Sequence, residues 1–156
     1  MRKKLLAIFV LSLSLMSVLP GVSAQQTECI KVEQDGSMTV RATGVGRNRA
    51  DAIEQAKKQA LNDVLFRGGI KGTSSYYRRP VLTEVNAREK YRDYFDIFFM
   101  DGGAYHKYVS MEDKRSGSTF VKRSKVEVEC VLTVRVLIPQ LKARLQDDGV
   151  IKTDKN

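Results

Sequence analysis

The chain has 156 residues, of which 27 are basic and 18 acidic, for a formal net charge of +9. Hydrophobic residues at 42% and charged residues at 29% are the balance of one folded domain and exclude a disordered polymer. A single His, two Cys and no Trp exclude most metal-centre and catalytic-triad chemistry, so neither a metal nor a cofactor is expected.

Residues 1–24 read as an export signal outside the fold. Arg2, Lys3 and Lys4 precede an apolar run from Leu5 to Leu19, which Pro20 and Gly21 break. Val22-Ser23-Ala24 then supplies the small residues of a cleavage site. The run is short and Ser-interrupted for a membrane span. Cleavage after Ala24 leaves no transmembrane segment and, by removing three basic residues, lowers the charge to +6. That excess is too moderate for a dedicated nucleic-acid binder, and export makes nucleic acid an unexpected partner. Cys29 follows Gln26-Thr27-Glu28, which is not a lipoprotein box. The expected location is therefore periplasmic or secreted.

Glu28 to Gln34 predicts a first strand, with Ile30 and Val32 on one face. Asp35-Gly36 is a hairpin turn, and Met38, Val40 and Ala42 alternate along a second strand that ends at Gly44-Val45-Gly46. Asn48 caps a helix from Ala50 to Phe66, whose Ala52, Ala56 and Ala60 keep one side low enough for close approach to a sheet. Residues 70–85 form a loop with an edge segment near Val81 and Leu82. Asn86 and Glu89 suggest a capping box for a second helix, on which Tyr91, Tyr94, Phe95, Phe98 and Phe99 share one face. Ala104 to Glu112 predicts a third strand, and residues 114–118 a polar turn. Val126 to Val136 predicts the clearest strand of the chain. Pro139 opens a short last helix through Leu141 and Leu145 that stops near Gly149. The order ββααββα predicts an α+β domain over residues 25–151: an antiparallel sheet of about four strands, two main helices, a short C-terminal helix and a disordered tail from 152 to 156.

The candidate sites are few. Gly46, Arg47 and Arg49 stand between strand and helix. The plainer reading is a tight turn; the alternative is an anion held at the helix N-terminus. Arg49 fills the third glycine position of a dinucleotide fingerprint, which excludes that motif. His106 has no second His or neighbouring Cys, and C-x-x-C, H-E-x-x-H and G-x-S-x-G are all absent. Tyr76, Tyr77, Arg78 and Arg79 put hot-spot residue types on one loop and are candidate partner contacts. Lys114, Arg115, Lys122, Arg123 and Lys125 surround the last hairpin, either as guards of an edge strand or as a docking patch for an acidic surface. Cys29 and Cys130 leave a disulfide open; its loop of about 100 residues would contribute about 4–5 kcal/mol in the chain-entropy treatment.

Val40-Arg41-Ala42-Thr43-Gly44-Val45-Gly46, followed by Ala50, Ala52, Ala56 and Ala60, resembles the N-terminal domain of flagellar-assembly protein T and related small bacterial envelope lipoproteins. There a glycine-ended strand leads to an Ala-spaced helix, and a later Val-rich strand, here Val126 to Val136, returns to the sheet. The sequence shows no lipobox like that of the lipoproteins, and none of the additional domains of the flagellar protein is expected. The signal and Ala-Gln-Gln start resemble secreted proteins of Bacteroides-type bacteria. The resemblance implies a noncatalytic envelope module that docks onto a larger assembly, and it brings no catalytic residues. The expected function is a protein-binding adaptor or accessory subunit working with envelope proteins. The alternative is a domain that binds a small ligand or an anion such as polysaccharide or phosphate. Self-association stays open.

Overall fold

The computed structural model describes residues 27–68, 79–111 and 118–152. The fold is α+β, and the described residues form a five-stranded antiparallel sheet with four α-helices. The elements are β1 (Glu28–Val32), β2 (Met38–Gly46), α1 (Arg49–Phe66), α2 (Ala87–Lys90), α3 (Arg92–Phe99), a 3-10 helix (Ala104–Tyr108), β3 (Val109–Met111), β4 (Ser118–Lys122), β5 (Val128–Val136) and α4 (Ile138–Asp147). β1, β2 and β5 are neighbours in that order, and β3 and β4 both pair with the far side of β5. Among the described residues no helix is long and apolar enough to cross a membrane.

The β1–β2 hairpin turns where expected, with Gly36 at φ +84. Asp35 accepts from the Ser37 amide and hydroxyl, and Arg135 on β5 reaches both Asp35 (2.9 Å) and Ser37 (2.6 Å). These bonds from the Ser37 hydroxyl and amide, with Arg135 behind them, hold the Asp35 carboxyl below its ordinary value. The face of β1 differs from expectation. Its register passes from Cys29↔Val40 to Lys31↔Thr39, so Ile30 is the extra residue of a bulge and is 43% exposed. Cys29, not Ile30, is buried.

Helix α1 lies across β2 and β5. Ala52, Ala56 and Ala60 are buried against the sheet, as their spacing predicted, with Leu61, Val64 and Leu65 completing the apolar side. Each of those larger residues contributes about 1.5–3 kcal/mol by burial. The glycines of β2 have a different task from the predicted turn. A Cβ on Gly44 would lie 2.1 Å from the Ala56 nitrogen, and one on Gly46 would lie 2.4 Å from the Ala52 nitrogen. Both sit within the strand and let the α1 backbone rest on it.

At its far end α1 is closed by Gly68 (φ +79) and by Val81 and Leu82, whose amides donate to the Val64 and Leu65 carbonyls. The expected edge segment at 81–82 is thus a helix stop. The second helix also departs from its prediction. Asn86 is left-handed (φ 61) with no side-chain cap bond, so the capping box does not form, and Tyr91 (φ −110, ψ 33) divides the helix into α2 and α3. The aromatic face survives that break: Phe95 and Phe98 are buried, with Tyr91, Tyr94 and Phe99 beside them.

Residues 104–108 form a 3-10 helix in place of the first half of the predicted third strand, because Tyr105 and Tyr108 both turn into the core. The fifth strand, β4, was hidden in a polar stretch whose burial is slight. On β5, Cys130, Leu132, Val134 and Val136 are buried and the alternate residues half-buried, as the period of two requires. Its start shifts from Val126, which is 70% exposed, to Val128. Helix α4 buries Ile138, Leu141 and Leu145 and stops at Gly149 (φ +73).

The register bears on the open disulfide. Both cysteines are buried thiols with no bridge between them. Cys29 is opposite Val40, which is opposite Val134, four residues from Cys130. That separation is roughly 16 Å from strand spacing and rise, against the roughly 7 Å limit for a bridge.

Candidate functional site

A groove of about 670 Å³ runs between α1 and the α2–α3 pair. Helical spacing builds its first wall, because Gln55, Gln59, Asn62 and Phe66 fall on one line of α1 with Lys58 and Arg67 beside it. The second wall carries Arg88, Glu89, Arg92 and Asp96, and Phe95 and Phe99 join Phe66 at the floor. Phe66 meets Phe95 edge-on at 5.0 Å between centroids, and the Arg88 guanidinium stands 5.6 Å over the Phe66 ring.

The polar groups of the walls are oriented. Gln55 donates to Asp51 (3.2 Å) and Gln59 to Asp63 (2.9 Å), so each spends an amide donor within its own helix. Arg88 and Arg92 line the facing wall. Lys58 is held by Asp101 at 2.7 Å. Asp63 is completely buried behind Gln59 and Arg67. Its Oδ2 accepts from the Thr27 hydroxyl (2.6 Å), and its Oδ1 lies 3.4 Å from Arg67 and takes no hydrogen bond.

The 3-10 helix braces α1 from another side. Tyr105, 1% exposed, donates to Glu54 Oε2 at 2.7 Å. Burial, then the hydrogen bond and charge of Glu54, push the Tyr105 hydroxyl above its ordinary value. Desolvation pushes Glu54 upward, but the bonds from Lys57 and Tyr105 together outweigh it and hold the carboxyl low. His106 stacks on Tyr105 with Nε2 3.5 Å from Glu54, on the 3-10 helix and not on the strand first expected. Tyr94 on α3 donates to Asp148 at 2.7 Å, tying down the end of α4; burial, then that carboxylate, raises its hydroxyl too.

Among the described residues, those predicted from sequence do not gather into one site. Gly46 is buried under α1, while Arg47 is 91% exposed and Arg49 stands 5.3 Å over the Phe120 ring. At the place expected for an anion, Asp51 accepts the Arg47 amide at 2.8 Å, the main reason its carboxyl lies below its ordinary value. Tyr76, Tyr77 and Arg78 lie outside the described residues. Arg79 is exposed, two residues before the Val81 amide that closes α1, which puts it near the Phe66–Arg67 end of the groove. Lys122, Arg123 and Lys125 are exposed at the β4–β5 hairpin, where Arg123 pairs with Glu129; Lys114 and Arg115 lie outside the described residues. Burial raises the Cys130 thiol, which makes it a poor nucleophile. Among the described residues no three His, Cys, Asp or Glu side chains are placed to hold a metal.

Sequence reasoning missed the groove. The available signal was an amide stripe, Gln55, Gln59 and Asn62, on a helix whose other outward positions carry charge. Comparison with known proteins finds no matching family, no matching curated protein and no matching solved structure.

Proposed function

We propose that this chain is an exported, noncatalytic domain of the bacterial envelope, a protein-binding adaptor or accessory subunit that docks its partner in the α1–α3 groove. The groove is the observation that carries the reading. It sets an aromatic floor between an α1 wall of amide and basic side chains and a facing wall of Arg88, Arg92, Glu89 and Asp96, and aromatic and Arg side chains are the kinds that build binding hot spots. The export signal in residues 1–24 and the resemblance of the β2–α1 segment to envelope modules support the setting. The Asp51 carboxylate at the start of α1 weighs against the anion-binding alternative, since a bound anion would have to displace it.

The test is a photo-crosslinking side chain at Asn62, in the groove, and at Lys142, on the exposed side of α4, followed by mass spectrometry of intact envelopes. One stoichiometric protein captured from position 62 but not 142, and lost in an Arg88→Glu/Arg92→Glu variant that melts normally, is the expected result. Equal capture from both positions, or capture that survives the double reversal, would remove the groove. No partner from any position would sink the adaptor reading.

A further inference from the structure

We infer that this chain also associates head to tail with a second copy of itself, through two surfaces, the first of which borders the groove at Asp96. The first is the outer side of α3. Asp93 and Ile97 follow one another at helical spacing with Asp96 adjacent, Met100 caps the helix end, and Ile97 and Met100 are 67% and 54% exposed. The second is the β4–β5 hairpin, where Val121 (52% exposed) and Val126 (70% exposed) flank the exposed Lys122 and Lys125.

Single exposed aliphatic residues are ordinary. Here they occur in pairs, and each pair sits among charges mostly of one sign: acidic on α3, where Asp93 and Asp96 outnumber Arg92, and basic on the hairpin. Asp93, Asp96, Lys122 and Lys125 enter none of the ion pairs formed among the described residues. The nearby Asp101 and Arg123 are spent on Lys58 and Glu129. Glu127, the hairpin's own unpaired acid, is outnumbered by the two lysines. Each surface therefore lacks an ionic partner among the described residues and finds opposite charge and an apolar centre on the other. Because the surfaces are different, the contact is heterologous and builds rings or open chains instead of a twofold dimer.

Sedimentation velocity of the purified chain over a range of concentrations tests this. At low salt the average sedimentation coefficient should rise with concentration, and about 0.5 M NaCl should return it to the monomer value. Asp93→Lys/Asp96→Lys and Lys122→Glu/Lys125→Glu should each weaken association about 100-fold or more through like-charge contact. Mixing the two variants should restore it, because each keeps the surface that the other needs. Circular dichroism should show both variants folded, and Ile97→Ser/Val126→Ser supplies an independent variant with no change of charge that should also be monomeric. A wild-type monomer at every concentration, association that neither salt nor reversal alters, or variants that fail to complement on mixing would overturn the proposal.

Discussion

Helix α1 makes two interfaces of opposite character. Toward β2 it is smooth: Ala52, Ala56 and Ala60 meet strand glycines with backbone almost on backbone, and nothing fits between. Toward α3 it is rough: Phe66, Gln59 and Asn62 meet Phe95, Phe99 and Arg92 across a groove of about 670 Å³. Small residues fix the helix by leaving one depth at which it can sit. Large ones hold their neighbours apart, and the gap between them becomes a surface on which a partner can bind. The same helix thus supplies the rigid reference and the adaptable face.

The smooth side should be the less forgiving. Gly44→Ala places a carbon into the Ala56 backbone, and urea melts should show a loss of at least about 3 kcal/mol. A loss below about 1 kcal/mol would mean that the helix can lift from the strand and the contrast is overstated. Asp63 stands at the seam, touching Gln59 and Arg67 of the groove and Thr27 beside β1. Thr27→Val removes a bond to a buried carboxylate and should cost about 2 kcal/mol by the same melts.

The braces beyond the groove should matter less. Tyr105→Phe removes one bond to Glu54 and should cost about 1 kcal/mol near neutral pH. Its pH dependence has a definite sign. The Tyr94 and Tyr105 hydroxyls are raised above their ordinary value of 10.0, so the folded chain binds more protons than the unfolded one in alkali. Their contribution is complete below pH 10 and is lost as pH rises above it toward the folded-state values. Thermal melts should show that decline, and Tyr105→Phe should flatten it. The smallest effect belongs to the rough face: Arg92→Ala should change stability by no more than about 0.5 kcal/mol. A larger change would make the groove a structural seam, and the contrast between the two interfaces would fail.

What the sequence by itself determined follows from local rules. Alternation along Met38–Gly46 and Val128–Val136, the Asn48 cap, the Asp35-Gly36 turn and the 3.6-residue aromatic period each depend on near neighbours in the chain, and each is found in the structure. Tertiary structure alone decided the rest. The bulge at Ile30 exists because β1 must match β2, and β4 is a strand because β5 offers it an edge. Gly44 and Gly46 are explained by a helix that crosses them and not by a turn. The separation of Cys29 from Cys130 is a matter of register. The groove depends on residues of three helices that share no local pattern, so no window of sequence contains it. Local periodicity encodes which side of an element is apolar, whereas the distance between two packed sides is set by side chains that meet only after the chain has folded.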